Sequence, residues 1–300
     1  MSLRAATRAS ALARTQTDLV AALLGDDVEP VVVQTTGDRR ADVPIWEIGG
    51  QGVFVKEVQA AVLDGRADFA VHSAKDLPSR TPDGLVIAAI PERDDARDAL
   101  VGSTLEGLPV GARVGTGSVR RRAQLAWYRP DLTFAGLRGN VDTRLAKAAD
   151  FHAIVVATAA LRRLGRGQAI SEVLDPAIVL PQVGQGALAV ECRAGDAAVR
   201  RRLAEIDHTP SRLAVEAERA FLREIGEGCE LPVGALARIT REGAVFLDAM
   251  IASLDGHRLL RDRAEGTDPE EVGRRLARRL LDEGGGADLL AVAALESPAP

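Results

Sequence analysis

Aromatic side chains are scarce in this sequence. They make up 3% of the 300 residues, although apolar residues as a whole reach 46%. Ala, Val and Leu must therefore build the packed cores. Basic residues are not in excess either, since the net charge is −5. Both shortages argue against a nucleic-acid-binding protein, which needs basic surfaces and often aromatic rings on which bases stack.

Cysteines and long apolar runs are equally scarce. The two cysteines, Cys192 and Cys229, do not make a disulfide framework, and we expect both to be reduced. No apolar run approaches the roughly 18 residues that a membrane-spanning helix needs. The first sixteen residues lack the apolar core of a signal peptide. We therefore expect a cytoplasmic protein that does not bind membranes, with two domains or three small ones.

The most informative stretch is VHSAKDLP, residues 71–78. A short apolar run leads into it, which predicts a buried strand that ends there. Ligands bind at the carboxyl ends of strands in open α/β sheets. Four polar side chains stand at this end: His72, Ser73, Lys75 and Asp76. Lys75 lowers the cost of keeping Asp76 ionised, so the pair suits a site, although a merely solvated polar loop is the alternative.

The amino-terminal segment predicts a strand at 3–7 and a helix at 11–24, with Ser10 as the N-cap and Gly25 as the stop. The turn between them combines the Arg8 guanidinium, the Ser10 hydroxyl and unpaired backbone N–H groups. Such a turn can bind an anion. Taken by itself, it equally fits a capped helix with a surface arginine.

Arginines recur at three later strand-to-helix junctions. The junctions are RVGTGSVRRR (113–122), LRGNVDTR (137–144), and AIVVA (153–157) with the LRRLG (161–165) that follows. The arginines at 120–122 oppose the helix dipole, and residues that break a local rule are candidates for function. Pairing with acidic neighbours is the alternative, but residues 114–125 contain no Asp or Glu. The repetition indicates that positive charge converges on one cleft.

Several connecting segments carry further predictions. Segment 34–52, which includes a glycine-rich stretch at 49–52, is long enough to be a lid over a site. The charge-dense residues 91–98 are best explained as a solvated surface run, with a crossing between domains as the alternative. A strand at 178–180, a turn, and a strand at 187–192 predict that the chain crosses back to the first domain at 181–187.

The two cysteines have different surroundings. Cys192 lies in the apolar run ALAVEC, which predicts a buried, unreactive thiol. Cys229 lies in a loop between glycines, ahead of a proline, where its thiol is open to attack. An incidental surface thiol is the alternative. The tail predicts three antiparallel strands, at 235–239, 244–251 and 257–262, and helices near 268–283 and 286–295.

Seven motifs together resemble the porphobilinogen deaminase family, also called hydroxymethylbilane synthases. They occur in the family's order and spacing, from Arg4 to about Gly234: ATRAS (6–10), GGQGVFVKE (49–57), RADFAVHSAKDLP (66–78), GTGSVRRR (115–122), LRGNVDTRL (137–145), LPQVGQGALAVECR (180–193) and EGCELPVG (227–234). Each motif is weak alone, but the set is highly specific. Beyond Gly234 the resemblance is mainly one of pattern.

The resemblance implies an α/β fold of two hinged domains, like those of type-2 periplasmic binding proteins, and a C-terminal α+β domain that carries the cysteine loop. The implied domain bounds are 1–93 with 187–207, then 97–181, then 208–300. The resemblance also implies a monomeric transferase that joins four porphobilinogen molecules into hydroxymethylbilane and releases ammonia, in tetrapyrrole and haem biosynthesis. A dipyrromethane cofactor is implied as a thioether on Cys229, and no metal is expected.

The resemblance assigns roles residue by residue. Asp76 matches the catalytic aspartate, which would stabilise a cationic azafulvene and assist proton transfer to the leaving amine. The residues expected to bind the cofactor are Cys229, Lys75, Arg120, Arg121, Ser118, Thr116, Arg144 and Ser73. Those expected to bind the substrate are Arg8, Ser10, Arg138, Arg163 and Gln16. Arginine suits this task because it pairs with carboxylates bidentately and stays charged.

Three positions depart from the family pattern. Ala11 replaces a common proline, Gln51 replaces a common lysine, and Gly117 replaces a common serine. The main alternative function is a non-catalytic carboxylate-binding protein of similar fold. Such a protein has no use for a carboxylate in a basic cleft and would normally carry a signal peptide. We also expect the arginines to act through substrate carboxylates rather than through folding.

Overall fold

The computed structural model describes residues 2–36, 54–226 and 231–296. The strands in these ranges are β1 (Leu3–Arg8), β2 (Val28–Val33), β3 (Phe69–Ser73), β4 (Leu85–Ala89), β5 (Asp98–Val101), β6 (Arg113–Gly115), β7 (Thr133–Ala135), β8 (Ala153–Ala157), β9 (Glu172–Val173), β10 (Leu188–Arg193), β11 (Val233–Ile239), β12 (Val245–Ala252) and β13 (Leu259–Gly266).

The α-helices in the same ranges are α1 (Ala11–Leu24), α2 (Lys56–Leu63), α3 (Val119–Tyr128), α4 (Val141–Ala146), α5 (Thr158–Arg163), α6 (Ala197–Ala204), α7 (Thr209–Ile225), α8 (Pro269–Arg278) and α9 (Gly286–Glu296). A π-helical segment, Arg279–Glu283, continues α8. No helix of the described part is both long and apolar enough to cross a membrane.

The strands form three sheets. The first sheet has the order β2-β1-β3-β10-β4, the second β7-β6-β8-β5-β9, and the third β11-β12-β13. In the first sheet β1 runs parallel to β2 and β3, whereas β10 is antiparallel to β3 and β4. In the second sheet β6 runs parallel to β7 and β8. The third sheet is antiparallel, as predicted for the tail.

Local sequence signals account for most elements. The Ser10 side chain caps α1 by accepting a bond from the Ala13 backbone N–H at 3.3 Å. Gly25 ends the helix at φ 66°, in the left-handed region that glycine favours. The cores consist mainly of Ala, Val and Leu, with Phe69 and Phe221 as the largest fully buried side chains. These predictions are confirmed, and the mixed α/β class is confirmed with them.

The chain passes twice between the first two sheets. The first crossing, residues 90–97, joins β4 to β5, and the second crossing, residues 181–187, leads back into β10. The interpretation of 91–98 as a solvated surface run is therefore wrong, and the alternative of a crossing is confirmed. Asp98, at its end, has no exposed surface.

One predicted strand is absent from the described chain. Residues 178–180 form part of a turn instead. The backbone N–H groups of Ile178 and Val179 both donate to the Asp175 carbonyl, each at 2.9 Å, so neither can pair with a neighbouring strand. The predicted lid at 34–52 lies largely outside the described residues.

Glu218 of α7 joins both crossings to the third sheet. Its carboxylate is fully buried and accepts two bonds from the Arg93 guanidinium, at 2.6 and 3.1 Å. It also accepts from the backbone N–H of Gly184 at 2.7 Å and of Ala237 at 2.9 Å. One side chain therefore satisfies donors from three separate parts of the chain.

We predict that Glu218→Ala lowers the free energy of unfolding by about 3–5 kcal/mol, because it leaves a buried guanidinium and two backbone donors without their acceptor. Urea unfolding of the two proteins measures the difference. Glu224→Ala is the matched control on the same helix, since its ion pair with Arg278 is largely exposed and should contribute about 0–1 kcal/mol. Equal losses in both variants would contradict this role of Glu218.

Candidate active site

The stretch VHSAKDLP forms the carboxyl end of β3 and the turn that follows, as predicted. β3 is flanked by β1 and β10 in the first sheet and leads into a 3₁₀ turn, Ala74–Asp76. Asp76 is half-buried. Among the described residues, nothing forms a hydrogen bond or ion pair with its carboxylate. A carboxylate at a strand end that has no partner in this part of the chain is available to a ligand.

Lys75 is held in a strongly cationic surrounding. The pKa of Lys75 is lowered to about 8, mainly by burial; the charges of Arg121 and Arg120 add to this effect, and those of Asp76 and Asp98 oppose it. Its ammonium donates to the Gln185 side-chain oxygen at 3.3 Å. The nearby carboxylates therefore do not fully balance the positive charge of Lys75. This imbalance favours an anionic ligand at this position.

The second crossing packs directly against the Asp76 turn. Gly184 has φ 71°, and a Cβ there would lie 3.0 Å from the carbonyl carbon of Ala74 and 3.0 Å from the backbone nitrogen of Lys75. Only glycine permits this approach without a shift of the turn. The side chain of Gln185 then bonds both Lys75 and Asp98, the latter at 2.8 Å.

The amino-terminal turn lies beside the Asp76 turn. β1 runs parallel to β3, so its last residue, Arg8, lies at the same sheet edge as Ser73. The buried Gln16 side chain of α1 donates to the Ser73 hydroxyl at 2.9 Å. The Arg8 guanidinium carbon lies 4.1 Å from the centre of the Phe54 ring. Arg8, Ser10, Gln16 and Ser73 thus belong to one edge of the first sheet.

The second sheet presents its arginines at one edge, as the sequence predicted. β6 runs parallel to its two neighbours, β7 and β8, so the carboxyl ends of all three strands share that edge. α3, α4 and α5 follow these ends. Thr116 and Ser118 shape the start of α3: the Thr116 hydroxyl accepts from the Ser118 N–H at 3.2 Å, and the Ser118 hydroxyl accepts from the Arg121 N–H at 3.4 Å.

Arg120 and Arg121 have an acidic partner, contrary to the argument from sequence. Both are buried and bind Asp98, at 2.8 Å and 2.7 Å. Burial raises the pKa of Asp98, but the two guanidinium groups outweigh it and hold that pKa well below its usual range. Asp98 lies outside the segment 114–125 in which partners were sought, and the fold brings it there. The expectation that these arginines act through substrate carboxylates rather than through folding stays a prediction.

The remaining arginines differ in their partners. Arg144 donates to the Gly139 carbonyl at 2.8 Å. Burial lowers the pKa of Arg144 to about 10, and the nearby charges of Arg121 and Arg138 contribute, opposed by Asp76. Arg163 donates to the Gly186 carbonyl at 2.6 Å and lies 3.5 Å from Asp94. Arg144 therefore shares the electrostatic surroundings of Asp76, while Arg163 contacts the second crossing.

Four further observations complete the site. Cys229 and Gln51 lie outside the described residues, and α7 ends at Ile225, shortly before the cysteine. Cys192 is fully buried, as predicted, and burial raises the pKa of its thiol to about 11. At Gly117 a Cβ would lie 3.0 Å from the Leu137 carbonyl oxygen, so serine would need a small shift there. No group of three metal-binding side chains occurs in the described ranges.

Sequence reasoning missed Asp98, Gln185 and Glu218. Gln185 stands in the motif LPQVGQG, which was recognised without a role for this side chain. Asp98 stands at the end of the charged run assigned to solvent. The apolar strand that starts at Asp98, DALV, was the available signal that this carboxylate is buried.

We predict that the stability of the ligand-free protein rises with pH between about 8 and 10, on the order of 1 kcal/mol per pH unit. The folded-state pKa of Lys75 lies below its unfolded value, so the unfolded chain binds more protons in this window. Urea unfolding at pH 7, 8, 9 and 10 measures the rise. Lys75→Met should remove it, whereas Lys56→Met, at an exposed position of α2, should not. An unchanged rise in Lys75→Met would contradict the assignment.

Comparison with known proteins accounts for almost the whole chain. The family model "Porphobilinogen deaminase, dipyromethane cofactor binding domain" matches residues 3–201, and "Porphobilinogen deaminase, C-terminal domain" matches residues 212–282. The porphobilinogen deaminase of Moorella thermoacetica is 49% identical, over 97% of both chains. That of Acidothermus cellulolyticus is 50% identical, over 94% of this chain and 89% of its own.

The similarity to solved structures is weaker. A putative methionine-binding lipoprotein from Bacillus subtilis is 13% identical, with a TM-score of 0.42 over 68% of this chain and 89% of its own. The assignment rests instead on the two family models and on the named relatives, which agree over nearly the full length. The chain belongs to the porphobilinogen deaminase family.

Proposed function

We propose that Asp76 is the catalytic carboxylate of a transferase that condenses four porphobilinogen molecules head to tail, releases ammonia and forms hydroxymethylbilane. Membership of the family supports the reaction. The observation that supports the residue is the position of Asp76: a half-buried carboxylate at the end of β3, unpaired within the described ranges and surrounded by Lys75 and arginines. A carboxylate-binding protein would be weakened by such a group, so the non-catalytic alternative is not favoured.

The charge balance suits the substrate. Porphobilinogen carries two carboxylates, so each added unit brings negative charge into the cleft. Arg138 and Arg144, at the β7–α4 junction, and Arg8 and Ser10, at the β1–α1 turn, are proposed to bind these carboxylates. Arg163 and Gln16 complete this set. Arginine suits the substrate carboxylates because its planar guanidinium group binds a carboxylate through two parallel hydrogen bonds.

Asp76 would act on the reacting pyrrole. Its carboxylate can accept a hydrogen bond from the pyrrole N–H and stabilise positive charge that develops as the amine leaves. It could also assist proton transfer to that amine. The fixed cations of the second sheet would hold the substrate without sharing a proton with it.

The residues present fit a dipyrromethane cofactor. When bound, this group supplies the primer to which the first substrate unit is joined. Its carboxylates would offset the burial and the neighbouring positive charges that lower the pKa values of Lys75 and Arg144. Arg120 and Arg121 carry one positive charge more than Asp98 neutralises, and the Arg120 Nε is buried without a partner in the described structure.

We propose further details of the cofactor site and the domains. Cys229 would hold the cofactor through a thioether, with the hydroxyls of Ser73, Thr116 and Ser118 nearby. The domains would comprise 1–93 with 187–207, then 97–181, then 208–300. The three sheets support this division, because each draws its strands from one of these sets. A cytoplasmic location and a monomeric state stay predictions from the sequence.

We expect Asp76→Asn to fold normally and to lower kcat by about 10²–10³, because the neutral amide cannot stabilise the developing cation. Turnover of porphobilinogen and thermal unfolding of the same preparation measure both effects. Asp83→Asn, at an exposed carboxylate nearby, is the control and should keep full activity. A folded Asp76→Asn protein with near-normal turnover would exclude Asp76 as the catalytic group.

We expect the purified protein to be heavier than its sequence by two pyrrole units, which intact-mass spectrometry measures directly. The extra mass should disappear in Cys229→Ser and persist in Cys192→Ser, because Cys192 is buried in the first sheet. The loaded protein should also unfold at a higher temperature than Cys229→Ser, since bound carboxylates neutralise charges that repel one another. Turnover by a protein of bare sequence mass would refute the covalent attachment.

A further inference from the structure

Arg219 of α7 reaches the chain immediately after the Asp76 turn. Its guanidinium, in a side chain that is 6% exposed, donates to the Ser79 carbonyl at 3.0 Å. Ser79 is itself 2% exposed and lies three residues after Asp76. Arg223, one turn further along the helix, donates to the same carbonyl at the longer distance of 3.5 Å. The end of the Asp76 segment is therefore fixed by α7.

The same guanidinium also acts on the start of this segment. His72, at the end of β3, has its Nε2 atom 3.1 Å from the Glu191 carboxylate, which also accepts a bond from Gln59 at 2.8 Å. Burial raises the pKa of Glu191, but the bonds from His72 and Gln59 and the charge of Arg219 lower it overall. Arg219 is thus close enough to Glu191, the partner of His72, to act on it electrostatically.

Arg219 lies on the helix that precedes the segment containing Cys229. α7 ends at Ile225, and the chain then continues into the segment that contains Cys229. The helix also carries Glu218, which binds the N–H of Gly184, and Gly184 packs against the backbone of the Asp76 turn. One helix therefore binds both Ser79, three residues after Asp76, and the crossing that packs against the Asp76 turn, and the chain after this helix contains the cysteine.

We propose that Arg219 is a positioning residue, which fixes the Asp76 turn relative to α7 and so to the segment that carries the cofactor cysteine. This inference rests on the proposed function of Asp76. A reacting group displaced by about 1 Å can lose two orders of magnitude in rate, so a contact that sets this distance affects turnover more than binding. A purely structural arginine would affect stability without a specific link to Asp76.

The test uses Arg219→Lys in the full-length, cofactor-loaded enzyme. Lysine keeps the buried charge but loses the planar fork that fixes the direction of the bond to Ser79. We expect kcat to fall about tenfold per loaded protein, with KM for porphobilinogen within about twofold of wild type. All rates are measured well below the unfolding temperature of each variant, and loading is measured by intact mass.

Arg212→Lys is the matched control. Arg212 lies on the same helix, and both arginines line one cavity of about 390 Å³, but Arg212 binds Asp207 and the Ala88 carbonyl rather than the Asp76 segment. Its replacement should leave kcat within about twofold of wild type. Equal rates for Arg219→Lys and Arg212→Lys would overturn the proposal.

A double-mutant cycle with Asp76→Asn shows whether Arg219 acts through Asp76. If it does, Arg219→Lys should cause no further loss of the residual rate in the Asp76→Asn background. If the fractional losses of rate in the two single variants multiply in the double variant, the proposal is overturned and Arg219 is a structural residue. Full activity of Asp76→Asn alone would instead contradict the proposed function, so the two failures are distinguishable.

A backbone substitution tests the same bond without changing Arg219, and it decides the matter if Arg219→Lys does not fold. Arg80 is exposed, so an α-hydroxy analogue of lysine at position 80 can convert the Ser79 peptide bond to an ester and weaken its carbonyl as an acceptor. We expect kcat to fall about fivefold relative to Arg80→Lys, with KM unchanged. Equal kcat values would overturn the proposal.

Discussion

The arrangement of the cleft depends on a buried carboxylate, Asp98, that binds two arginines. Removing three charges from water is costly, and the cost is offset only where every group has well-directed partners. Here Arg120 and Arg121 each bind Asp98, and Gln185 donates to it as well. Two guanidinium groups on one carboxylate leave a net positive charge close to Lys75. The protein thus holds rigid cations at the site without neutralising them.

The two crossings explain how this cluster meets Asp76. The first crossing delivers Asp98 to the second sheet, and the second crossing brings Gln185 between Asp98 and Lys75. Gly184 allows the second crossing to lie against the Asp76 turn at van der Waals contact. Each connection between the sheets is therefore also part of the site, so motion of one sheet relative to the other must alter these contacts.

The third sheet and α7 also stabilise the region where the two crossings meet the Asp76 turn. Glu218 satisfies donors from both crossings, and the adjacent Arg219 binds the Ser79 carbonyl. The crossings and α7 thereby both support the segment that contains Asp76. The uncompensated cations around the Asp76 turn are unfavourable in the absence of an anionic ligand, and this surrounding framework keeps them in place.

The sequence alone determined the local elements and the chemistry. An N-cap at Ser10, an apolar run before Asp76 and repeated strand-to-helix junctions all depend on residues within a few positions of one another, so their pattern can be read directly. Only the tertiary structure decided the partners. Asp98 and Arg120 are 22 residues apart, and Ser79 and Arg219 are 140 apart. Such contacts depend on where the crossings place the chain, and no periodicity encodes that placement.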